Sequence, residues 1–104
     1  MGLGDFLLKK TAKSTANSIA KYVNGGRFGT PNDALKAWAS TRRNGALLVM
    51  MVDDLARGIP HLNLKVKTDD IARSLFYTEM DVNQNNLSES VRTDIEKIFT
   101  DALN

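Results

Sequence analysis

The chain has 104 residues, of which 42% are hydrophobic, and its net charge at pH 7 is +2. This length predicts a single domain over residues 1–104 with one modest core, and leaves no room for a second domain. The chain has no cysteine, which excludes disulfides, a thiolate nucleophile and thiolate-ligated metals and fits a cytoplasmic location.

The net charge hides an asymmetry between the two halves of the chain. Residues 1–52 contain eight basic and two acidic residues, which gives +6. Residues 53–104 contain six basic and ten acidic residues, which gives −4. The basic half suggests a polyanionic partner. The alternative is that the two halves neutralise each other within the fold or between subunits.

The first predicted helix covers residues 5–23. At about 100° per residue, its apolar side is formed by Leu8, Ala12, Thr15, Ala16, Ile19, Tyr22 and Val23. The opposite side carries Lys9, Lys10, Lys13, Asn17 and Lys21. Basic amphipathic helices lie on anionic membranes or bind acidic partners. The small residues in the middle of the apolar side favour packing against another helix.

A second helix is predicted to begin at Pro31, with Thr30 as its N-cap. It contains Trp38 and reaches Arg42 and Arg43, a combination of stacking surface and guanidinium groups that suits nucleic acid. A lone tryptophan at this helical spacing is more typical of a core. At Gly45 this helix either ends or continues, kinked, into the next.

The next predicted helix covers residues 46–57 and contains the run Ala-Leu-Leu-Val-Met-Met-Val, which is apolar on every side. Its main apolar stripe consists of Leu48, Val52, Leu55 and Ile59, and Gly58 and Pro60 are expected to stop it. A helix that is apolar all round is expected at the centre of a bundle. The run is too short to cross a membrane, which needs about 20 apolar residues.

Residues 62–66 alternate between apolar and polar side chains, the period of an extended strand. A single strand cannot satisfy its own backbone, so this segment either packs on the helices or pairs with another chain. We therefore predict a self-association edge. It consists of Leu62, Leu64 and Val66.

Two further helices are predicted in the second half of the chain. The first is capped by Thr68, Asp69 and Asp70 and fades near Met80. The second is capped by Ser88. Its apolar face consists of Val91, Ile95, Ile98, Phe99 and Ala102.

The sequence predicts no catalytic residue, no metal site and no cofactor. The one histidine, His61, follows a proline in a loop, and the adjacent pairs of aspartates point about 100° apart on a helix. The polar run that begins at Asp81 resembles a calcium loop. Asn86, however, occupies the place of the turn glycine, and Arg92 occupies that of the bidentate glutamate.

These patterns predict an all-α domain of four to five helices around a central apolar helix, residues 46–57. The first hypothesis for its function is a non-enzymatic interaction or regulatory protein that acts through a protein partner or self-association. The second is nucleic-acid binding, and the third is association of the first helix with an anionic membrane surface. The basic surface that serves the second hypothesis consists of Lys9, Lys10, Lys13, Lys21, Arg42 and Arg43.

Overall fold

The computed structural model describes residues 3–58 and 65–104 of the chain. Within these residues it contains five α-helices and no β-strand. The helices are α1 (Leu3–Asn24), α2 (Pro31–Ser40), α3 (Gly45–Ala56), α4 (Thr68–Glu79) and α5 (Glu89–Leu103), and a short 3₁₀ turn (Gln84–Asn86) precedes α5. The predicted all-α class is therefore confirmed. None of the described helices is long and apolar enough to cross a membrane.

Two helix starts, those of α2 and α5, have the predicted side-chain caps. The hydroxyl of Thr30 accepts a hydrogen bond from the backbone N–H of Asp33 at 3.2 Å, and the hydroxyl of Ser88 accepts one from Val91 at 3.4 Å. Each bond satisfies a backbone donor that the first helical turn leaves without a partner. The start of α4 differs by one residue from the prediction. Lys67 is its N-cap, and the carboxylate of Asp70 accepts from the Lys67 N–H at 3.4 Å.

The chain breaks between α2 and α3, which settles the alternative that the sequence left open. The two helices are joined by residues 41–44 and pack side by side, and Lys36 contacts Asp53 across them at 2.6 Å. A Cβ atom on Gly45 would lie 3.1 Å from the backbone oxygens of both Ala39 and Ser40. This close approach of backbone to backbone favours glycine at the turn.

Contacts between side chains establish the directions of the other helices. Lys9 contacts Asp94, and Lys13 and Asp101 line one cleft further along α1 and α5, so these two helices run parallel. The hydroxyl of Thr100 donates to the carboxylate of Asp69 at 2.8 Å, joining the end of α5 to the start of α4. α4 is therefore antiparallel to α5. Asn44 and Glu79 join the start of α3 to the end of α4.

The centre of the bundle is α4, which packs against each of the other four helices. Its Ile71, Ala72, Leu75 and Phe76 are almost completely buried, and the Phe76 ring meets the ring of Phe99 from α5 at 5.6 Å between centroids. On α5, the predicted apolar face is confirmed. Val91, Ile95 and Phe99 are fully buried, and Ile98 and Ala102 pack partly buried against the core.

The helix predicted at 46–57 is present as α3, but the expectation that it is enclosed on every side is wrong. α3 packs mainly on α2 and α4. Leu48 and Val52 are fully buried on that side, whereas Leu47 is 52% exposed and Met50 is 63% exposed. The reason is position in the bundle, because α3 lies at its edge and no described helix covers its outer side.

Part of the predicted self-association edge lies outside the described residues. Leu62, Leu64 and most of the predicted extended segment are among those residues. The predictions for Ile59, Pro60 and His61 also lie outside the described residues. Val66 is described, and it packs partly buried against the core. The use of this segment in self-association stays a prediction.

Candidate interaction surfaces

α1 contains four lysines. One of them forms an ion pair, and the other three form none with the residues that the structure describes. The Nζ atom of Lys9 lies 3.4 Å from a carboxylate oxygen of Asp94. Lys10, Lys13 and Lys21 are exposed and make no ion pair with a described residue. Their spacing places them on one side of the helix. α1 thus presents a narrow basic stripe to solvent.

The apolar side of α1 is occupied by the core. Ala12, Ala16 and Ile19 are fully buried, as the small residues on that side predicted. An interfacial membrane helix needs its apolar side free to enter the lipid. Among the α1 side chains that the structure describes, only the exposed Phe6 and Leu7, near the start of the helix, are available for such a contact.

Trp38 and Arg42 form a structural cluster with Ser18 of α1. Trp38 is 1% exposed, and its Nε1 donates to the hydroxyl of Ser18 at 3.2 Å. The guanidinium carbon of Arg42 lies 4.4 Å from the Trp38 ring centre, and its Nη2 donates to the same hydroxyl at 3.4 Å. The interpretation of Trp38 as a core residue is confirmed. Since the ring is buried, it has no free face on which a base could stack.

Some of the charge asymmetry is neutralised within the fold. Among the residues that the structure describes, two ion pairs join a basic residue of the first half to an acid of the second half, namely Lys9 with Asp94 and Lys36 with Asp53. The hydrogen bond from Lys36 holds the pKa of Asp53 below its ordinary value. Exposed surface pairs contribute little to stability, with a median of about 0–1 kcal/mol. They do, however, reduce the basic charge available to a polyanion.

Large apolar side chains that remain exposed are the least expected feature of the surface. Among the described residues these are Phe6, Leu7, Leu47, Met50 and Met80. They lie near the start of α1, in the first half of α3 and just after the end of α4. The hydrogen bond from Asn44 to Glu79 places the start of α3 beside the end of α4.

The outer face of α3 is the most regular of the exposed surfaces. Its helical part consists of Leu47, Met50 and Asp54, which lie on the side of α3 opposite Leu48 and Val52. Arg43, in the turn before the helix, and Arg57, the C-cap residue, flank them, and all five of these outer residues are exposed. This surface was not predicted from the sequence, because a helical run that is apolar on every side is expected to be buried. The sequence did contain one indication that this side of the helix is exposed. The charged residues Asp54 and Arg57 follow Met50 by one and two helical turns.

A polar cleft of about 270 Å³ lies between α4 and α5. It is lined by Arg73, Tyr77, Gln84, Glu89, Arg92, Thr93 and Glu96. Burial raises the pKa of the Tyr77 hydroxyl, although the nearby Arg73 and Arg92 act in the opposite direction. Because its two guanidinium groups are matched by two carboxylates, the cleft has no net preference for one class of ionic ligand. The described residues also contain no group of three or more acidic or histidine side chains placed to hold a metal ion.

Over the described residues, the fold is an all-α structure of five helices, and one edge helix, α3, exposes two apolar side chains among charged ones. Comparison of the chain with models of protein families, with curated proteins and with solved structures gave no match.

Proposed function

We propose that this protein is a non-enzymatic interaction protein that binds a protein partner, or a second copy of itself, through the outer face of α3. The observation that carries the proposal is the exposure of Leu47 and Met50 at the middle of an otherwise regular helical stripe. Exposed apolar side chains that are adjacent and rimmed by charges are typical of protein interfaces.

The composition of the face supports weak, adaptable binding. Covering the exposed part of one such side chain contributes about 1 kcal/mol, so two of them alone give only modest affinity. Methionine is flexible and polarisable and is common on surfaces that adapt to a partner. The charged ends of the face, Arg43 on one side and Asp54 and Arg57 on the other, would set the orientation of the partner.

The experiment is site-specific photo-crosslinking in cells. A benzophenone amino acid replaces Met50 in the full chain, and a matched control carries it at Lys97, an exposed position on α5. We expect a discrete covalent adduct from position 50 that is absent from position 97, whether the adduct is a dimer or a complex with another protein. Adducts of equal yield from both positions, or none from position 50, would contradict the proposal.

Nucleic-acid binding is the second candidate, and the exposed stripe of Lys10, Lys13 and Lys21 supports it. The buried Trp38 and the engaged Arg42 reduce the surface available for it. Three phosphate contacts predict a slope of about −3 when the logarithm of the binding constant is plotted against that of the salt concentration. Fluorescence anisotropy with a DNA duplex measures this slope, and replacement of the three lysines by glutamine should abolish binding.

A further inference from the structure

The outer face of α3 is complementary to itself when two copies are placed antiparallel. Along this face the order is basic Arg43, in the turn before α3, and then apolar Leu47, apolar Met50 and acidic Asp54 within the helix. Arg43 and Asp54 are equally far along the chain from the midpoint between Leu47 and Met50, and residues placed in this way lie opposite each other when two copies are antiparallel. A two-fold axis midway between Leu47 and Met50 therefore pairs unlike charges at both ends and apolar side chains in the middle.

We propose that the partner at this face is a second copy of the chain, and that the two α3 helices pack antiparallel about this axis. Leu47 then packs against Met50 of the second copy, and Arg43 faces Asp54 of the second copy, with each contact occurring twice. Such an interface is isologous, the commonest type in homodimers. The alternating spacing of four and three is that of the contact stripe between two paired helices.

The charges on the face favour a second copy over a polyanion. Arg43 and Arg57 are separated by Asp54, so the stripe does not offer nucleic acid or an anionic membrane a run of positive charge. Asp54 already contacts Arg57 at 3.9 Å, but both side chains are more than 70% exposed, since their exposed fractions are 72% and 76%. A pair this open is weak and leaves Asp54 available to a second cation.

The size of the face predicts a reversible dimer. α3 has 12 residues, and stable interfaces bury at least about 1,200 Å² in total. Two such helices in contact fall toward the small, transient end of that range. We therefore expect dimer dissociation within the concentration range of ordinary solution measurements, rather than an obligate dimer.

The test is sedimentation equilibrium of the full chain and three charge variants: R43D, D54R and the double variant R43D/D54R. Each single change places like charges opposite each other twice per dimer, and we expect it to raise the dissociation constant about tenfold. The double variant exchanges the two signs and should restore dimerisation. K97D, a charge reversal on the exposed surface of α5, is the control and should leave the constant unchanged.

Three results would overturn the proposal: a monomer at every concentration, a dimer that the single variants do not weaken, or a double variant that remains as weak as the single ones. Far-UV circular dichroism of each variant shows whether α-helix content is kept. This inference rests on the proposed function, yet the two fail separately. A monomer in sedimentation together with a specific adduct to another protein from position 50 rejects the second copy and keeps the binding face.

Discussion

The guanidinium carbon of Arg42 lies 4.4 Å from the ring centre of Trp38, and both side chains donate hydrogen bonds to the hydroxyl of Ser18. The arrangement ties the end of α2 to the middle of α1. Arg42 is thereby engaged by the fold, whereas its neighbour Arg43 is exposed. Two adjacent arginines that look equivalent in the sequence thus have different roles.

Replacing Arg42 by alanine should destabilise the fold by about 1–2 kcal/mol, because a partly buried cation–π contact and a charged hydrogen bond are lost together. Arg43→Ala should change stability by less than about 0.5 kcal/mol, as is usual at an exposed site. Urea unfolding, followed by the fluorescence of the single tryptophan, measures the free energy of unfolding of each variant. Equal effects of the two substitutions would contradict the structural role of Arg42.

Gly45→Ala should destabilise the protein, although alanine is ordinarily the better helix former by about 1 kcal/mol. The added Cβ would meet two backbone oxygens at 3.1 Å, and neither can move without disturbing the turn between α2 and α3. Gly4→Ala is the matched control within α1. A Cβ atom at Gly4 meets nothing within 4 Å, so the thermal midpoint of the Gly4→Ala variant should equal that of the parent protein or lie slightly above it. A Gly45→Ala variant as stable as the parent would show that the turn is not tightly packed.

The contact between Lys36 and Asp53 predicts a specific dependence of stability on pH. The pKa of Asp53 is lowered in the folded state, mainly by the hydrogen bond from Lys36. The ionised Asp53 therefore contributes fully to stability above the ordinary aspartate pKa of about 4. This contribution is lost as the pH falls through the lowered pKa of Asp53 in the folded state. Asp53→Asn should be less stable than the parent at neutral pH, and the difference should shrink in acid. The free energy of unfolding in urea at neutral and acidic pH tests this, with Asp101→Asn as an exposed control. A difference that is constant with pH would contradict it.

Tyr77 predicts the corresponding behaviour in alkali. Burial raises the pKa of its hydroxyl, so above about pH 10 the unfolded chain loses this proton before the folded protein does. Stability should therefore fall as the pH rises through that region. Tyr77→Phe removes the titrating group, and its stability should decline less steeply over the same interval. Thermal midpoints of the two proteins, measured across the alkaline range, give the comparison.

Local features of the fold were predictable because they depend on a few neighbouring residues. The caps at Thr30 and Ser88 and the buried side of α5 follow from residue type and helical spacing. The break between α2 and α3 was not predictable in the same way. It depends on the approach of Gly45 to the backbone of Ala39 and Ser40, a contact in three dimensions that composition does not reveal.

The position of α3 at the edge of the bundle was also not predictable from periodicity. Spacing shows which residues share a side of a helix, and the stripe with Leu48 and Val52 was correctly predicted as buried. Spacing does not show how many sides meet a neighbour. α4 has fewer apolar residues than the run in α3 but contacts more helices, so it forms the centre. The candidate site follows from this difference, because the apolar residues that α3 carries in excess remain on the surface.

The most direct test of the central claim is disulfide formation between L47C and M50C variants that are mixed in equal amounts. The natural chain contains no cysteine, so each variant carries one thiol. If the outer faces of α3 pack antiparallel, the mixed dimer with a bond between positions 47 and 50 should form much faster than the dimer of a K97C control under the same oxidation. Mixed cross-linking no faster than that of the control would contradict the pairing of the two α3 helices.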